Sequence, residues 1–114
     1  MHEVPIVQEL LQAVLNKSAG RGVRKVTRIS LSIGEASGVT EENMRRNFVR
    51  CSNGTIAEGS RLVFEKGYAE LHCRMCGASA EVTDDVNECP RCGMTDFQLI
   101  PDRTISVKNI EVQL

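Results

Sequence analysis

Residues 73–93 read CRMCGASAEVTDDVNECPRCG, a stretch in which Cys73-x-x-Cys76 and Cys89-x-x-Cys92 are separated by twelve residues. Each pair forms a tight turn that brings two thiolates to one point, and two such turns complete a tetrahedron of sulfur. The glycine behind each pair, Gly77 and Gly93, lets the backbone curl back and aim amides at the sulfurs. This is the knuckle of a zinc ribbon, and structural Zn²⁺ on Cys73, Cys76, Cys89 and Cys92 is the expectation. Two disulfides or free thiols are the competing reading. Four thiolates fill the coordination sphere, so such a centre has no open position for a substrate water and holds structure together instead of catalysing.

Around the knuckles, residues 67–101 carry few bulky apolar side chains and read as an insertion. The flanking segments are patterned differently. Ile6, Val7, Leu10, Leu11, Val14 and Leu15 make one apolar stripe and predict a helix over about 5–19, with Pro5 in its first turn and Gly20 and Gly22 beyond its end. In VTRISLSI (26–33), Ile29, Leu31 and Ile33 share a face, which predicts a strand closed by Gly34. GVTEENMRRNFVRCSNGT (38–55) predicts a second amphipathic helix: Thr40 caps it, Glu41 and Glu42 favour its positive end, and Met44, Phe48 and Cys51 form its apolar stripe. RLVFEK (61–66) and TISVKNIEVQ (104–113) predict two further strands. Ile105 and Val107 are out of phase with Ile110 and Val112, so a bulge is expected near Lys108. The expected fold is α+β: a small three-stranded sheet with two helices on one face, built from residues 1–66 and 102–114, with a zinc-ribbon domain inserted at 67–101.

A chain of 114 residues, 41% of them apolar, supports one modest core, and a satellite this small needs more than apolar burial to fold. The longest apolar stretch is interrupted by Gln8, Glu9 and Gln12, which excludes a bilayer span and makes a poor leader peptide. A cytoplasmic protein with no membrane partner is the expectation, and reduced thiols suit that compartment. Net charge is −1. Between Gly67 and Ile100 only Arg74 and Arg91 stand against six acids, so phosphate would be repelled, and nucleic acid is not an expected partner. Tyr68 and Phe97 are the only aromatics there for stacking on bases.

The chain opens Met1-His2-Glu3, with the histidine outside the apolar stripe. Initiator methionine is removed only ahead of small residues, so Met1 and its free amine are expected to stay. The amine, the deprotonated His2 amide and His2 Nδ1 can then bind one ion through two fused chelate rings in one plane. Planar nitrogen donors suit Ni²⁺ or Cu²⁺ better than tetrahedral Zn²⁺. The fourth ligand could come from Glu3, solvent, a partner or His72, the other histidine. Against this stands the plain reading of His2 as an exposed end residue and of His72 as an exposed residue on the first strand of the ribbon.

The Met-His-Glu opening ahead of an amphipathic helix, the strand RISLSIGEASGV (28–39), the segment NGTIAEGSRLVFEK (53–66) and the paired CxxCG knuckles together resemble the HypA family. The resemblance covers essentially the whole chain. It implies a nickel metallochaperone of [NiFe]-hydrogenase maturation, and in some bacteria of urease. It also implies an α/β nickel domain and a zinc domain, nickel carried by His2 with the Met1 amine and the neighbouring Glu3, and structural zinc on the four cysteines. Delivery with the help of a HypB-like GTPase to an apo nickel-enzyme precursor subunit is implied as well. Pro5 departs from the family, whose members usually have a serine after Met-His-Glu-x, without removing a nickel ligand.

The remaining groups are quieter. Arg21, Arg24, Lys25 and Arg28, with Arg45, Arg46 and Arg50, form the one basic concentration, either a solvated face or a docking surface for an acidic partner. Met44 is expected in the core, and Cys51 as a buried small apolar residue. No serine–histidine–acid or paired-carboxylate arrangement stands out, so no enzyme is expected. The reading is a nickel carrier; the alternative is a zinc-ribbon adaptor for protein interaction without nickel transfer.

Overall fold

The computed structural model of the chain describes residues 3–83 and 85–114. The described elements are α1 (Glu3–Ser18), β1 (Lys25–Ile33), α2 (Glu41–Ser52), β2 (Arg61–Lys66), β3 (Ala69–Cys73), β4 (Ser79–Val82), β5 (Phe97–Ile100) and β6 (Ile105–Gln113). Two three-stranded sheets result, ordered β2-β1-β6 and β4-β3-β5. Both helices and all three outer strands fall where the sequence pattern places them. Thr40 caps α2 by accepting the Asn43 amide at 3.2 Å. None of the described helices is long and apolar enough to cross a membrane.

The chain divides into two compact units, Met1–Ser32 with Val39–Glu65 and Ile105–Leu114, and Ile33–Gly38 with Lys66–Thr104. In the first, Ser60 Oγ donates to Val26 O near the start of β1 and β2, and in the second Gly67 N donates to Ile33 O (2.9 Å) at the ends of the same two strands. These strands therefore run parallel, with α2 as the crossover. Arg24 N donates to Gln113 O and Gly34 N to Thr104 O, both at 2.8 Å, so β6 runs antiparallel to β1. Those two bonds enclose one more residue on β1 than on β6. The irregularity therefore lies in β1, where Val26 and Ile29 are both buried three residues apart, and not near Lys108.

Val7, Leu11 and Val14 of α1, Met44 and Phe48 of α2, Ile29 and Leu31 of β1 and Leu62 of β2 make the core of the first unit. Met44 is 1% exposed, as its position on the stripe required. Cys51 is only half-buried; its neighbour Ser52 is buried in its place, because α2 turns that position further inward. The second unit has a smaller core, Ala69, Leu71, Cys73, Val82 and Cys89, flanked by Ala80, Val86, Phe97 and Leu99. Two of its five buried members are the leading cysteines of the knuckles.

Close approach fixes two glycines in the second unit. A Cβ on Gly34 would run into the Asp102 backbone carbonyl, and one on Gly67 into the Asp102 carboxylate. Asp102 accepts from Ala36 N through its carbonyl (2.9 Å), and from Thr104 N (2.8 Å) and Thr104 Oγ1 (2.6 Å) through its carboxylate.

Candidate metal centre

The two knuckles are built alike. Cys73 ends β3, Gly77 N donates back to Cys73 O at 3.1 Å, and Cys73 N donates to Ala78 O at 2.9 Å. At the other knuckle Gly93 N donates to Cys89 O and Cys89 N to Met94 O, both at 2.8 Å. Gly77 and Gly93 take φ of 74° and 76°, the left-handed region that glycine enters without a Cβ penalty. Cys76 N points at Cys73 Sγ from 3.5 Å, an amide aimed at sulfur as the sequence anticipated. Arg74 ties the first knuckle to the segment ahead of β5, donating to Asp96 through its backbone N (3.0 Å) and its guanidinium (2.9 Å).

The four Sγ atoms all lie within 4.8 Å of one another. Cys73 and Cys92 are 3.6 Å apart and Cys76 and Cys89 3.8 Å. Those gaps are far too long for disulfides, whose S–S bond is about 2.05 Å. They match the edge of about 3.8 Å in a tetrahedron whose metal–sulfur bonds are about 2.3 Å, so the donor set fits Zn²⁺. Cys73 and Cys89 are buried, whereas Cys76 and Cys92 are exposed. The Cys76 amide, aided by Met75, lowers the Cys73 thiol to about 6 against the opposing effect of burial. The Cys92 and Arg91 amides lower Cys89 in the same way. At Cys92 the Met94 amide also favours the thiolate, but burial and the neighbouring sulfurs outweigh it and push the group up to about 12. Two thiols are thus poised for metal by backbone amides, and a third keeps its proton until an ion displaces it.

Among the described residues, these thiols are the one group of three or more His, Cys, Asp or Glu ligands that could share an ion. Met1 and His2 lie outside the described residues, as does the side chain of Glu3, which opens α1. His72 stands on β3 opposite Ser79 of β4, with Nδ1 2.9 Å from Ser79 Oγ and Nε2 3.2 Å from Glu70 Oε1. The sequence reading missed this serine–histidine–acid line, because only the β3–β4 register brings Ser79 to His72. It lies on exposed sheet surface and is not among the gathered thiol ligands.

The basic concentration divides. Arg28 pairs with Glu111 (3.2 Å) and Arg46 with Glu42 (3.0 Å). Arg45 donates to Leu62 O (3.0 Å) and covers the Phe64 ring at 4.7 Å. Arg21, Arg24, Lys25 and Arg50 stay exposed.

Comparison with known proteins agrees with this architecture. The family model described as "Hydrogenase/urease nickel incorporation, metallochaperone, hypA" matches residues 1–112. The hydrogenase maturation factor HypA of Dehalococcoides mccartyi strain 195 is 35% identical over 98% of this chain and 94% of its own. That of Chlorobaculum tepidum is 32% identical over 99% and 100%. In fold, the solution structure of the nickel metallochaperone HypA from Helicobacter pylori superposes with a TM-score of 0.67, covering 96% of each chain at 17% identity. A second HypA solution structure gives 0.70 at 18% identity, over 99% of this chain and 97% of that one. With a match from end to end in sequence, and with two helices, two small sheets and a four-cysteine cluster in the fold, the chain belongs to the HypA family of hydrogenase-maturation nickel metallochaperones.

Proposed function

We propose that this chain carries Ni²⁺ at its amino terminus and delivers it to the precursor subunit of a [NiFe]-hydrogenase, with urease as a further client. The observation that carries the reading is the family match over residues 1–112, which takes in Met1-His2-Glu3 and all four knuckle cysteines. The Met1 amine, the His2 amide nitrogen and His2 Nδ1 supply three planar donors, and Glu3 completes or orients the set. Residues 1–66 and 102–114 serve as the nickel domain, and residues 67–101 as the zinc domain. Cys73, Cys76, Cys89 and Cys92 hold structural Zn²⁺, which when bound cross-links the ribbon and offers no reactive position. No covalent bond is made or broken in the cargo: nickel leaves by ligand exchange to a HypB-like GTPase or to the apo-enzyme precursor in the cytoplasm.

Each nickel ligand must shed its proton, and ordinary α-amino and imidazole groups titrate near about 7.7–8.0 and about 6.5, so affinity falls as pH drops below neutral. The test is elemental analysis followed by calorimetric nickel titration of the native chain, of His2→Ala and of a form extended by one residue at the amino terminus. One zinc, together with one nickel that both variants lose and that binds far more weakly at pH 6 than at pH 7.5, is the expected result. Zinc with no nickel, or nickel indifferent to His2, would leave a zinc-ribbon adaptor and overturn the carrier.

A further inference from the structure

The first unit gathers at one pole basic residues that the sequence scatters. Lys17 lies in the last turn of α1 and Arg21 in the turn that follows; Arg24 precedes β1 and Lys25 opens it, Arg50 lies in the last turn of α2 and Arg61 begins β2. Val26 N donates to Ile56 O (2.8 Å) and Ser60 Oγ to Val26 O (2.5 Å), so the start of β1 is stitched to the loop between α2 and β2. Arg24, Lys25, Arg50 and Arg61 therefore flank one loop. All six cations are exposed, and none has an ion-pair partner among the described residues, in contrast to Arg28 and Arg46. The acid within that loop, Glu58, is bonded to Gly54 N at 3.2 Å.

An apolar feature accompanies the charge. A groove runs between the last turn of α2 and the loop, bounded by Phe48, Val49, Asn53 and Gly59, and Val49 at its lip is 72% exposed. We infer that this pole docks an acidic segment of a partner protein, its carboxylates on the unpaired cations and one apolar side chain against Val49. Nucleic acid fits the face less well. No exposed aromatic stands in the groove lining to stack on a base, and the exposed side chain at its lip, Val49, is apolar. The face also lies at the Ser18 end of α1, about 24 Å along the 16-residue helix from Glu3. A partner held there leaves the Glu3 end uncovered. That last consequence rests on the nickel reading; the docking face does not.

The probe is a fluorescein-labelled peptide of eight glutamates around a central leucine, titrated into the full zinc-loaded chain by anisotropy and by amide NMR. Binding should weaken with added salt, and shifts should centre on Arg24, Lys25, Val49, Arg50 and Arg61. Arg24→Glu with Lys25→Glu and Arg50→Glu should lower affinity at least tenfold, and Val49→Ala severalfold. The control triple Lys66→Glu, Arg103→Glu and Lys108→Glu, with the same change in net charge, should keep most of it. Equal loss in both triples would reduce the effect to net charge and overturn the docking face. So would tighter binding of an eight-nucleotide single-stranded DNA, or of phosphatidylserine vesicles, to the same residues. Nickel titration of the native chain keeps the two readings apart: a chain that binds the peptide but no nickel sinks the carrier and leaves the docking face standing.

Discussion

Cys73 Sγ lies 3.6 Å from Cys92 Sγ across 19 positions of sequence, and Cys76 Sγ faces Cys89 Sγ at 3.8 Å. The close contacts thus join one knuckle to the other, so the centre closes the loop from residue 73 to residue 92. With two of its five buried core residues being ligands, the second unit depends on that closure. Chelating the metal should unfold the ribbon, with loss of β3, β4 and β5 signals. The helical circular dichroism should survive, since α1 and α2 both belong to the first unit. Global collapse on chelation would contradict this independence.

Acid should release the zinc late. The Cys73 thiol is lowered to about 6, so the thiolate's contribution is present at high pH and is lost only as pH falls through that value. Cys92 is shifted the opposite way, to about 12, and should be the first sulfur to let go. Zinc release followed with a chromogenic indicator should have its midpoint below pH 6. Half-release at pH 7 would mean that protonation of Cys92, and not of Cys73, sets the release.

A Cβ on Gly34 would meet the Asp102 backbone carbonyl first and its Cγ next, whereas one on Gly67 would meet the carboxylate, which separates two otherwise similar substitutions. Gly34→Ala and Gly67→Ala should each destabilise by about 1–3 kcal/mol in denaturant unfolding, as overpacked sites do. Adding Asp102→Ala should recover much of the Gly67→Ala loss and little of the Gly34→Ala loss, because only the side chain can be removed. Additive losses in both double mutants would show that Asp102 is not what confines Gly67.

Met44 is a core residue and not a soft metal ligand. Met44→Ala should cost about 2–5 kcal/mol of stability. Zinc and nickel stoichiometry, by elemental analysis and titration, should stay unchanged. Loss of either metal from a folded Met44→Ala chain would reverse the assignment.

Periodicity and ligand spacing carried most of the fold. The stripe from Ile6 to Leu15, the alternation around Ile29 and Leu31, and the Thr40 cap each arise within one element, where a side chain's neighbours are fixed by the repeat of the helix or strand. The knuckles were legible for the same reason: two thiols and a glycine within five residues dictate a turn whatever surrounds it. The extra residue in β1, assigned from the sequence to β6, could not be read this way. Both strands show a three-residue step, and only the hydrogen bonds at the two ends say which one carries the bulge.

What the sequence determined by itself, then, was the inventory: two helices, three outer strands, four thiols at zinc spacing and a Met-His-Glu opening. Tertiary structure decided the pairings. It set Cys73 against Cys92, His72 against Ser79 and Glu70, and Asp102 against Gly34 and Gly67, and it drew Arg24, Lys25, Arg50 and Arg61 around one loop. The physical reason is that local patterns follow from short-range sterics and burial periodicity, whereas strand register and loop closure depend on partners distant in the chain.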